Sequence, residues 1–316
     1  DKNKFYNGFL DYFVVGNNFD TNTPFNHKVE WAGIKDISIN GSSLFISLTE
    51  EIKKNCYNTS LFKAEIDFKF MSFEKIYGSD ECFYLNKEIK AFRYFNGYQT
   101  GGRIVNVRNK IYLTIGDYNT WDKVQTLSSS AGKILELDLK DKSTKFISMG
   151  HRNAQGLHYI ERYNVLISTE HGPKGGDEIN LINLDKDYIN NFGWPISSYG
   201  YHYDVVPINS YTKKYAPLNK SHKEFGFVEP LKFFENAIGI SEIIQNYFDE
   251  NNSIFVSSLK AKTIFEIELD KYLNFIQIKH KINVGERIRD IIFDKENNCY
   301  LIYAESTPKL ISMCLN

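Results

Sequence analysis

Apolar and polar residues alternate in short runs along nearly the whole chain, and turn residues separate the runs. The run at 34–39 (IKDISI) is followed by the turn Asn40-Gly41 and then by a second alternating run at 43–49 (SLFISLT). Alternation with a period of two around Asn-Gly is typical of a β-hairpin. Amphipathic helical windows of twelve or more residues are hard to find. The pattern therefore predicts an all-β chain.

The predicted strands fall into repeated groups of about four. Groups that recur at roughly 45 to 50 residues have the period of a β-propeller, in which each four-stranded blade buries its faces against its neighbours. A sandwich would not repeat in this way, so we predict antiparallel propeller blades. The five groups that the pattern identifies lie at 34–78, 103–149, 156–183, 239–283 and 287–315.

Two regions depart from this rhythm. The last group has only three strands, and an isolated apolar run (FLDYFVV) lies near the start, at 9–15. Since propellers commonly complete one blade with strands from both termini, we predict that this N-terminal run completes the last blade. Residues 185–229 are rich in Gly, Pro, Tyr and Lys, which indicates a long loop or a poorly patterned blade. Loops of that size on a propeller face usually line a site.

The charge balance excludes some functions. The 316 residues include 38 basic and 39 acidic side chains, giving a formal net charge of −1. No overall field therefore attracts nucleic acid or an anionic membrane. No window approaches the roughly 18 unbroken apolar residues that a membrane helix needs, and the first residues show no cleavable signal pattern.

The four cysteines show no metal-binding or redox spacing. They are Cys56, Cys82, Cys299 and Cys314. No CxxC pair or cluster with histidine is present, so zinc and thiol-redox motifs are absent. Two disulfides are compatible with an exported protein, but free buried cysteines are the favoured alternative at this size.

Three polar, glycine-rich loops stand between apolar strands, at 150–160 (GHRNAQGLHYI), 168–182 (STEHGPKGGDEINLI) and 190–195 (NNFGWP). A single loop of this kind is most simply a tight turn, whereas three together favour a ligand site. Arg152 and Asn153 present donors suited to a carboxylate or carbonyl group. The Gly172-Pro173 carbonyls, with the acids Asp177 and Glu178, provide the oxygen ligands that calcium prefers.

In combination, GHRNxQGL, EHGPxGGDEIN and GWP resemble the glucose/sorbosone dehydrogenase family, the soluble quinoprotein sugar dehydrogenases. Weaker similarities lie at GIKDISI, GGRIVN with IYLTIGD, SSLK and RIRDIIF. The resemblance covers most of the chain. It implies a single six-bladed propeller domain over 1–316 that uses pyrroloquinoline quinone (PQQ) and calcium.

The family's cofactor contacts can be carried over residue by residue. The resemblance places PQQ-binding cations at Lys260, Arg287 and Arg289, and further cofactor contacts at Arg152 and Asn153. Because PQQ carries three carboxylates, several fixed cations would suit it.

The family's metal ligands can be carried over in the same way. The resemblance assigns a catalytic calcium, a Lewis acid for the quinone, to the Gly172 and Pro173 carbonyls. It assigns a second, structural calcium to Glu178 and the Phe192 backbone.

One position departs from the family. A histidine just before the GGR turn acts there as general base and takes the proton of the sugar's anomeric hydroxyl. This chain has Gln99 instead, and an amide does not accept a proton at neutral pH. His171 is a candidate substitute, as are the nearby His151, His202 and Tyr98, although each is more simply a structural residue.

The resemblance implies a periplasmic or secreted oxidoreductase that oxidises an aldose or another polyol and passes electrons to an external acceptor. Loss of the base predicts a rate lower by about 10²- to 10⁴-fold. The alternative hypothesis is a catalytically silent propeller that binds a ligand or partner through the same face. Gln99 favours the silent protein and the retained cations favour the enzyme. A purely structural interaction module predicts no affinity for calcium or PQQ.

Overall fold

The computed structural model describes residues 33–67, 71–86, 95–249 and 252–315. The chain divides into two compact units, Asp1–Asn153 and Ala154–Asn316. In the described part of both units, antiparallel sheets whose strands follow one another in the chain dominate the structure. No helix within these ranges is long and apolar enough to cross a membrane.

The described part of the first unit contains two sheets. The first has the order β1-β2-β3-β4, and β5 pairs with the first two residues of β3. In the second, β6 to β9 pair in chain order. A short helix, α1 (Trp121–Val124), connects two strands of the second sheet. The strands are β1 (Gly33–Asn40), β2 (Ser43–Lys53), β3 (Cys56–Glu65), β4 (Glu74–Gly78), β5 (Phe83–Tyr84), β6 (Gly101–Val107), β7 (Lys110–Ile115), β8 (Lys133–Asp138) and β9 (Thr144–Met149).

The described part of the second unit contains three sheets. Their orders are β10-β11-β12-β14, β15-β16-β17-β18 and β19-β20-β21. The strands are β10 (Ala154–Ile160), β11 (Val165–Glu170), β12 (Asp177–Asn183), β13 (Asn190–Asn191), β14 (Lys232–Phe234), β15 (Ile240–Gln245), β16 (Ser253–Ser258), β17 (Thr263–Leu269), β18 (Phe275–Asn283), β19 (Ile288–Asp294), β20 (Cys299–Ala304) and β21 (Lys309–Cys314).

The long segment between β12 and β14 is mostly irregular. It contains the two-residue strand β13, the helix α2 (Ser210–Tyr215) and a short 3₁₀ helix at Lys223–Phe225; another 3₁₀ helix, Glu161–Tyr163, lies between β10 and β11. Asn209 caps α2 by accepting a hydrogen bond from the Thr212 N–H through its side chain. The segment returns to the third sheet at β14, which pairs with β12.

Alternation along the strands builds the apolar core. Between the third and fourth sheets, Ile167, Ile179, Ile243, Val256 and Ile267 are almost completely buried. Each such side chain contributes about 1.5–3 kcal/mol through removal from water. The third and fourth sheets therefore stabilise each other through the apolar side chains at alternate strand positions, which face the neighbouring sheet.

All four cysteines are disulfide-bonded, so the favoured expectation of free cysteines is wrong. Cys56 pairs with Cys82, just before β5, and Cys299 pairs with Cys314. Local composition could not reveal these pairings because strand pairing creates them. Cys299 and Cys314 lie opposite each other on β20 and β21. Cys82 comes close to Cys56 because β5 pairs with the start of β3.

The prediction of an all-β chain built from propeller-type blades is confirmed. Each of the five predicted groups forms its own antiparallel sheet. The third gains a fourth strand, β14, from beyond the irregular segment. The described residues hold five sheets rather than the six blades that the resemblance implies. The apolar run at 9–15, predicted to complete the last blade, lies outside the described residues.

Candidate functional site

In the first unit, Gln99 lies at the turn that leads into β6. Its backbone is in the left-handed region, with φ 65°. Its carbonyl oxygen accepts the Tyr118 N–H at 3.1 Å and lies against Gly116, where a Cβ atom would overlap it. Gly116 in the motif IGD is therefore required by the close approach of the Gln99 backbone.

The Gln99 side chain lies between a carboxylate and a guanidinium. One amide orientation lets Nε2 donate to Asn119 Oδ1 at 2.7 Å. In the other, Nε2 donates to Asp117 Oδ1 at 2.8 Å and Oε1 accepts from Arg152 Nη2 at 3.1 Å. The second is favoured because it matches an amide donor with a carboxylate and an amide acceptor with a cation.

The backbone fixes the groups around Gln99. The Asp117 N–H donates to the Arg152 carbonyl at 2.8 Å, and the fully buried Asp117 side chain also accepts the Asn119 N–H at 2.8 Å. Asn153 Oδ1 accepts the Gly101 N–H at 3.2 Å. The structure thus brings together three predicted site residues, Gln99, Arg152 and Asn153, around a buried carboxylate.

In the second unit, Asp177 organises the Gly172-Pro173 loop. Its Oδ1 accepts the Gly172 N–H at 3.0 Å. Its Oδ2 accepts the backbone N–H groups of residues 238, 239 and 240 at 2.9, 2.8 and 3.2 Å. Both oxygens of this buried carboxylate are therefore used by backbone donors. Asp177 therefore holds two loops together, and its expected part as an oxygen ligand to calcium stays a prediction.

Lys260 lies in the loop after β16, next to the segment that Asp177 holds. Its backbone N–H donates to the Ile238 carbonyl at 3.0 Å. Its side chain is exposed, and within the described ranges the ammonium has no carboxylate partner. Lys260 is thus a cation on a fixed backbone with its charge available to an anion.

Arg287 and Arg289 flank the first residue of β19, and both guanidinium groups reach Glu305. Arg289 donates to Glu305 Oε2 from Nε at 3.1 Å and from Nη2 at 2.7 Å. Arg287 Nη2 lies 3.7 Å from Glu305 Oε1. Two cations therefore share one carboxylate and retain a net positive charge.

Glu178 and Phe192 are both in contact with His222. The Nδ1 atom of His222 donates to the Phe192 carbonyl at 2.8 Å, and Nε2 lies 3.4 Å from Glu178 Oε1. Burial raises the pKa of Glu178. Burial alone would lower the pKa of His222, but its hydrogen bond and attraction to the Glu178 carboxylate raise it overall. The pair therefore holds a proton more tightly than separate groups would.

The other candidate histidines have structural contacts. His171 Nδ1 lies 4.0 Å from Asp177 Oδ1, which is beyond hydrogen-bonding distance. His151 Nε2 hydrogen-bonds Ser148 Oγ at 2.8 Å, and His202 Nε2 donates to the Ala216 carbonyl at 2.8 Å. About a fifth of the His171 side chain is exposed, whereas His151 is fully buried.

Sequence reasoning missed His222 and Glu305. His222 lies in the irregular segment and meets its partners only through the fold, so no local pattern marks it. Glu305 directly follows β20, and its backbone N–H donates to the Arg287 carbonyl at 2.7 Å. The available signal for Glu305 was an acidic residue at the end of the strand that follows the predicted cations Arg287 and Arg289.

The fold and these sites define a class: a β-propeller whose strand-end loops carry cations and buried acids. Residues 32–312 match the family model described as Glucose / Sorbosone dehydrogenase, and the chain belongs to that family.

Named relatives agree with this assignment. The chain is 26% identical over 237 residues to the aldose sugar dehydrogenase YliI of Escherichia coli, which covers 69% of this chain and 60% of the relative. The chain spans 38% to 60% of the length of the curated relatives it matches.

Solved structures share the fold. A crystal structure of glucose dehydrogenase superimposes with a TM-score of 0.75 at 19% identity, covering 90% of this chain and 84% of that one. The PQQ-bound aldose sugar dehydrogenase of Streptomyces coelicolor gives 0.62 at 16% identity, covering 87% and 75%.

Proposed function

We propose that this protein is a PQQ- and calcium-dependent sugar dehydrogenase that oxidises an aldose or another polyol slowly, because Gln99 replaces the family's base. The observation that carries the proposal is Lys260, an exposed cation that has no carboxylate partner among the described residues. Its backbone is hydrogen-bonded to the segment that the buried Asp177 holds. An anionic ligand provides the partner that this ammonium lacks.

The described cations fit a ligand with several carboxylates. Arg287 and Arg289 keep one net positive charge after pairing with Glu305. In an otherwise neutral chain, such charges at predicted site loops favour an anionic cofactor.

The Gly172-Pro173 loop fits a hard cation. The Pro173 carbonyl accepts no hydrogen bond from any described residue. Backbone carbonyls are suitable calcium ligands, and Asp177 fixes the loop from the opposite side through the Gly172 N–H. When bound, PQQ would supply a two-electron acceptor and calcium would polarise it.

This chain's own residues set the limits of catalysis. The Gln99 amide can orient a substrate hydroxyl by hydrogen bonding but cannot take its proton. Asp117 holds that amide. His171 stays the candidate substitute for the base. Electrons would leave through an external acceptor.

The disulfides support a further proposal. Two disulfides are typical of an oxidising compartment, so we place the protein in the periplasm or outside the cell.

A cofactor titration tests the function. The calcium-loaded protein would be titrated with PQQ and followed by absorbance and calorimetry, and then mixed with a panel of aldoses and an artificial electron acceptor. Tight binding followed by slow, sugar-dependent reduction of the acceptor is expected. Absence of PQQ binding would overturn the proposal.

A lysine pair provides the matched control. Lys260→Met should weaken PQQ binding about tenfold or more, because it removes an ion pair with a ligand carboxylate. Lys271→Met changes an exposed lysine in the turn at the opposite end of β17 and should leave PQQ affinity unchanged. Equal effects of both variants would mean that general charge, not the site, attracts the ligand.

A second candidate function is a catalytically silent propeller that binds a ligand or partner. The Gln99 amide, hydrogen-bonded to Asp117 and Arg152, favours it. Tight PQQ binding with no reduction of any acceptor, even at long reaction times, is the result that would select this alternative.

A further inference from the structure

The second calcium that the family resemblance implies would use the Glu178 carboxylate and the Phe192 carbonyl. In this chain a histidine side chain lies against both. His222 donates through Nδ1 to the Phe192 carbonyl at 2.8 Å, and its Nε2 is 3.4 Å from Glu178 Oε1. The two oxygens thus face ring nitrogens of one residue.

The imidazole ring is fixed and buried. Only 1% of the His222 side chain is exposed, and Tyr199 stacks on it with ring centres 5.3 Å apart and planes 22° apart. A Cβ atom on Gly193 would lie 3.2 Å from His222 Nδ1, so the backbone of the GWP loop is in close contact with the ring.

The segment that carries His222 is also anchored. Glu229 Oε1 accepts the His222 N–H at 3.1 Å, and Glu229 Oε2 accepts the Tyr199 hydroxyl at 2.7 Å. The ring is therefore held by its backbone, by a stacked aromatic residue and by the Nδ1 hydrogen bond, while Nε2 faces the Glu178 carboxylate at 3.4 Å without a hydrogen-bond partner among the described residues. Moving it aside would break several of these contacts.

This arrangement does not fit calcium. Calcium takes six to eight oxygen ligands at about 2.3–2.6 Å, and nitrogen is a poor substitute. Here the Phe192 oxygen is engaged by an N–H donor and the Glu178 oxygen is turned toward a nitrogen.

We propose that the His222 side chain replaces the second calcium. It bridges Glu178 and the Phe192 carbonyl in place of a metal and ties the segment around residue 222 to β12 and the GWP loop. This locus therefore binds no calcium, and its stability does not depend on calcium. The calcium at Gly172-Pro173 belongs to the proposed function and is a separate question.

The calcium content of the full chain tests the proposal. Wild-type protein, Glu178→Gln and His222→Gly would be equilibrated with calcium, desalted and analysed by mass spectrometry for calcium per chain. Glu178→Gln should contain as much calcium as wild type. His222→Gly frees both oxygens and opens space, so it should gain one calcium and show a larger calcium-induced rise in Tm than wild type.

A matched control is His202→Gly, which removes a histidine of the same unit whose ring hydrogen-bonds the Ala216 carbonyl. It should gain no calcium. Loss of one calcium in Glu178→Gln, or no gain in folded His222→Gly, would overturn the proposal. If Glu178→Gln does not fold, the His222→Gly result decides alone.

These outcomes are separable from those of the proposed function. Wild-type protein with no calcium, together with a gain of one in His222→Gly, would contradict the Gly172-Pro173 site and support the replacement. Two calcium ions in wild type, one of them lost in Glu178→Gln, would support a calcium-binding enzyme and contradict the replacement.

Discussion

The Asp177 carboxylate accepts the backbone N–H of Gly172 at 3.0 Å, which fixes the candidate calcium loop to the start of β12. The other oxygen of the same carboxylate binds the segment before β15, to which the Lys260 backbone is hydrogen-bonded. One buried acid thus positions the carbonyls proposed for calcium and a cation proposed for PQQ.

Replacing this acid should damage both stability and cofactor binding. In Asp177→Asn, an amide NH₂ group replaces one of the two oxygens that accept hydrogen bonds from backbone N–H groups, so donors would face a donor. We expect a loss of about 3 kcal/mol in the free energy of unfolding, since hydrogen bonds to charged groups contribute about 1.5–3 kcal/mol each. Urea unfolding measures the loss, and calorimetry measures weaker PQQ binding.

The control is Asp204→Asn, at a largely exposed acid paired with Lys174. Exposed ion pairs contribute about 0–1 kcal/mol, so stability should change little. If Asp177→Asn were equally harmless, the carboxylate would not be the link between the two loops.

Restoring a base at position 99 should accelerate the reaction. In Gln99→His, an imidazole would take the place between Asp117 and Arg152, where the carboxylate can orient it. General-base catalysis contributes about 10²- to 10⁴-fold, so we expect at least a 100-fold rise in sugar-dependent kcat. Acceptor-linked steady-state kinetics measures it.

Gln99→Leu provides the comparison, because it removes the amide without adding a base. Its rate should not exceed that of wild type. A Gln99→His protein that binds PQQ as tightly as wild type but turns over no faster would show that the missing base does not limit the reaction.

Removing the Glu305 carboxylate should strengthen PQQ binding. Glu305 engages the guanidinium groups of Arg287 and Arg289, so it competes with an anionic ligand for both. All three side chains are partly exposed, and the expected gain in Glu305→Gln is about fivefold in Kd, or about 1 kcal/mol. Calorimetric titration measures it; weaker binding would instead mean that Glu305 mainly orients the arginines.

Acid should destabilise the first unit through Glu81. Burial alone would raise the pKa of Glu81, but hydrogen bonds from the Ser130 N–H and the Ser129 hydroxyl lower it overall. A depressed folded-state pKa contributes stability above the ordinary value of 4.5, and this is lost as the pH falls through the folded-state pKa.

Glu81→Gln should therefore be less stable at pH 7 by about 1–3 kcal/mol and should lose less stability on acidification than wild type. Unfolding by urea at pH 7 and at pH 3.5 checks both. Glu296→Gln, at an exposed turn, should follow the wild-type profile. A Glu81→Gln profile parallel to wild type would contradict this role.

Sequence patterns predicted the strands because alternation and turn residues act locally. The hairpin at Asn40-Gly41 and the strand groups from β1 to β21 depend on neighbours in the chain, so their outlines were readable. The motif residues Arg152 and Asn153 were readable for the same reason, since they lie in one short loop.

The remaining contacts depend on residues distant in sequence. His222 meets Glu178 across 44 positions of mostly irregular chain, and Asp177 meets residues 238–240 about 60 positions away. The sequence shows that positions 177 and 178 are acidic but does not indicate which distant residues these carboxylates contact. That is why the sequence predicted Asp177 as a metal ligand but could not predict its hydrogen bonds to backbone N–H groups.

The disulfide between Cys299 and Cys314 also governs how the last sheet responds to force. The two residues are directly opposed across β20 and β21, at the end where β20 begins and β21 finishes. A force that pulls residue 314 away from the sheet therefore acts on the covalent disulfide bond before it acts on the hydrogen bonds between β20 and β21. In this protein the last strand cannot be peeled off one hydrogen bond at a time until that bond has been reduced.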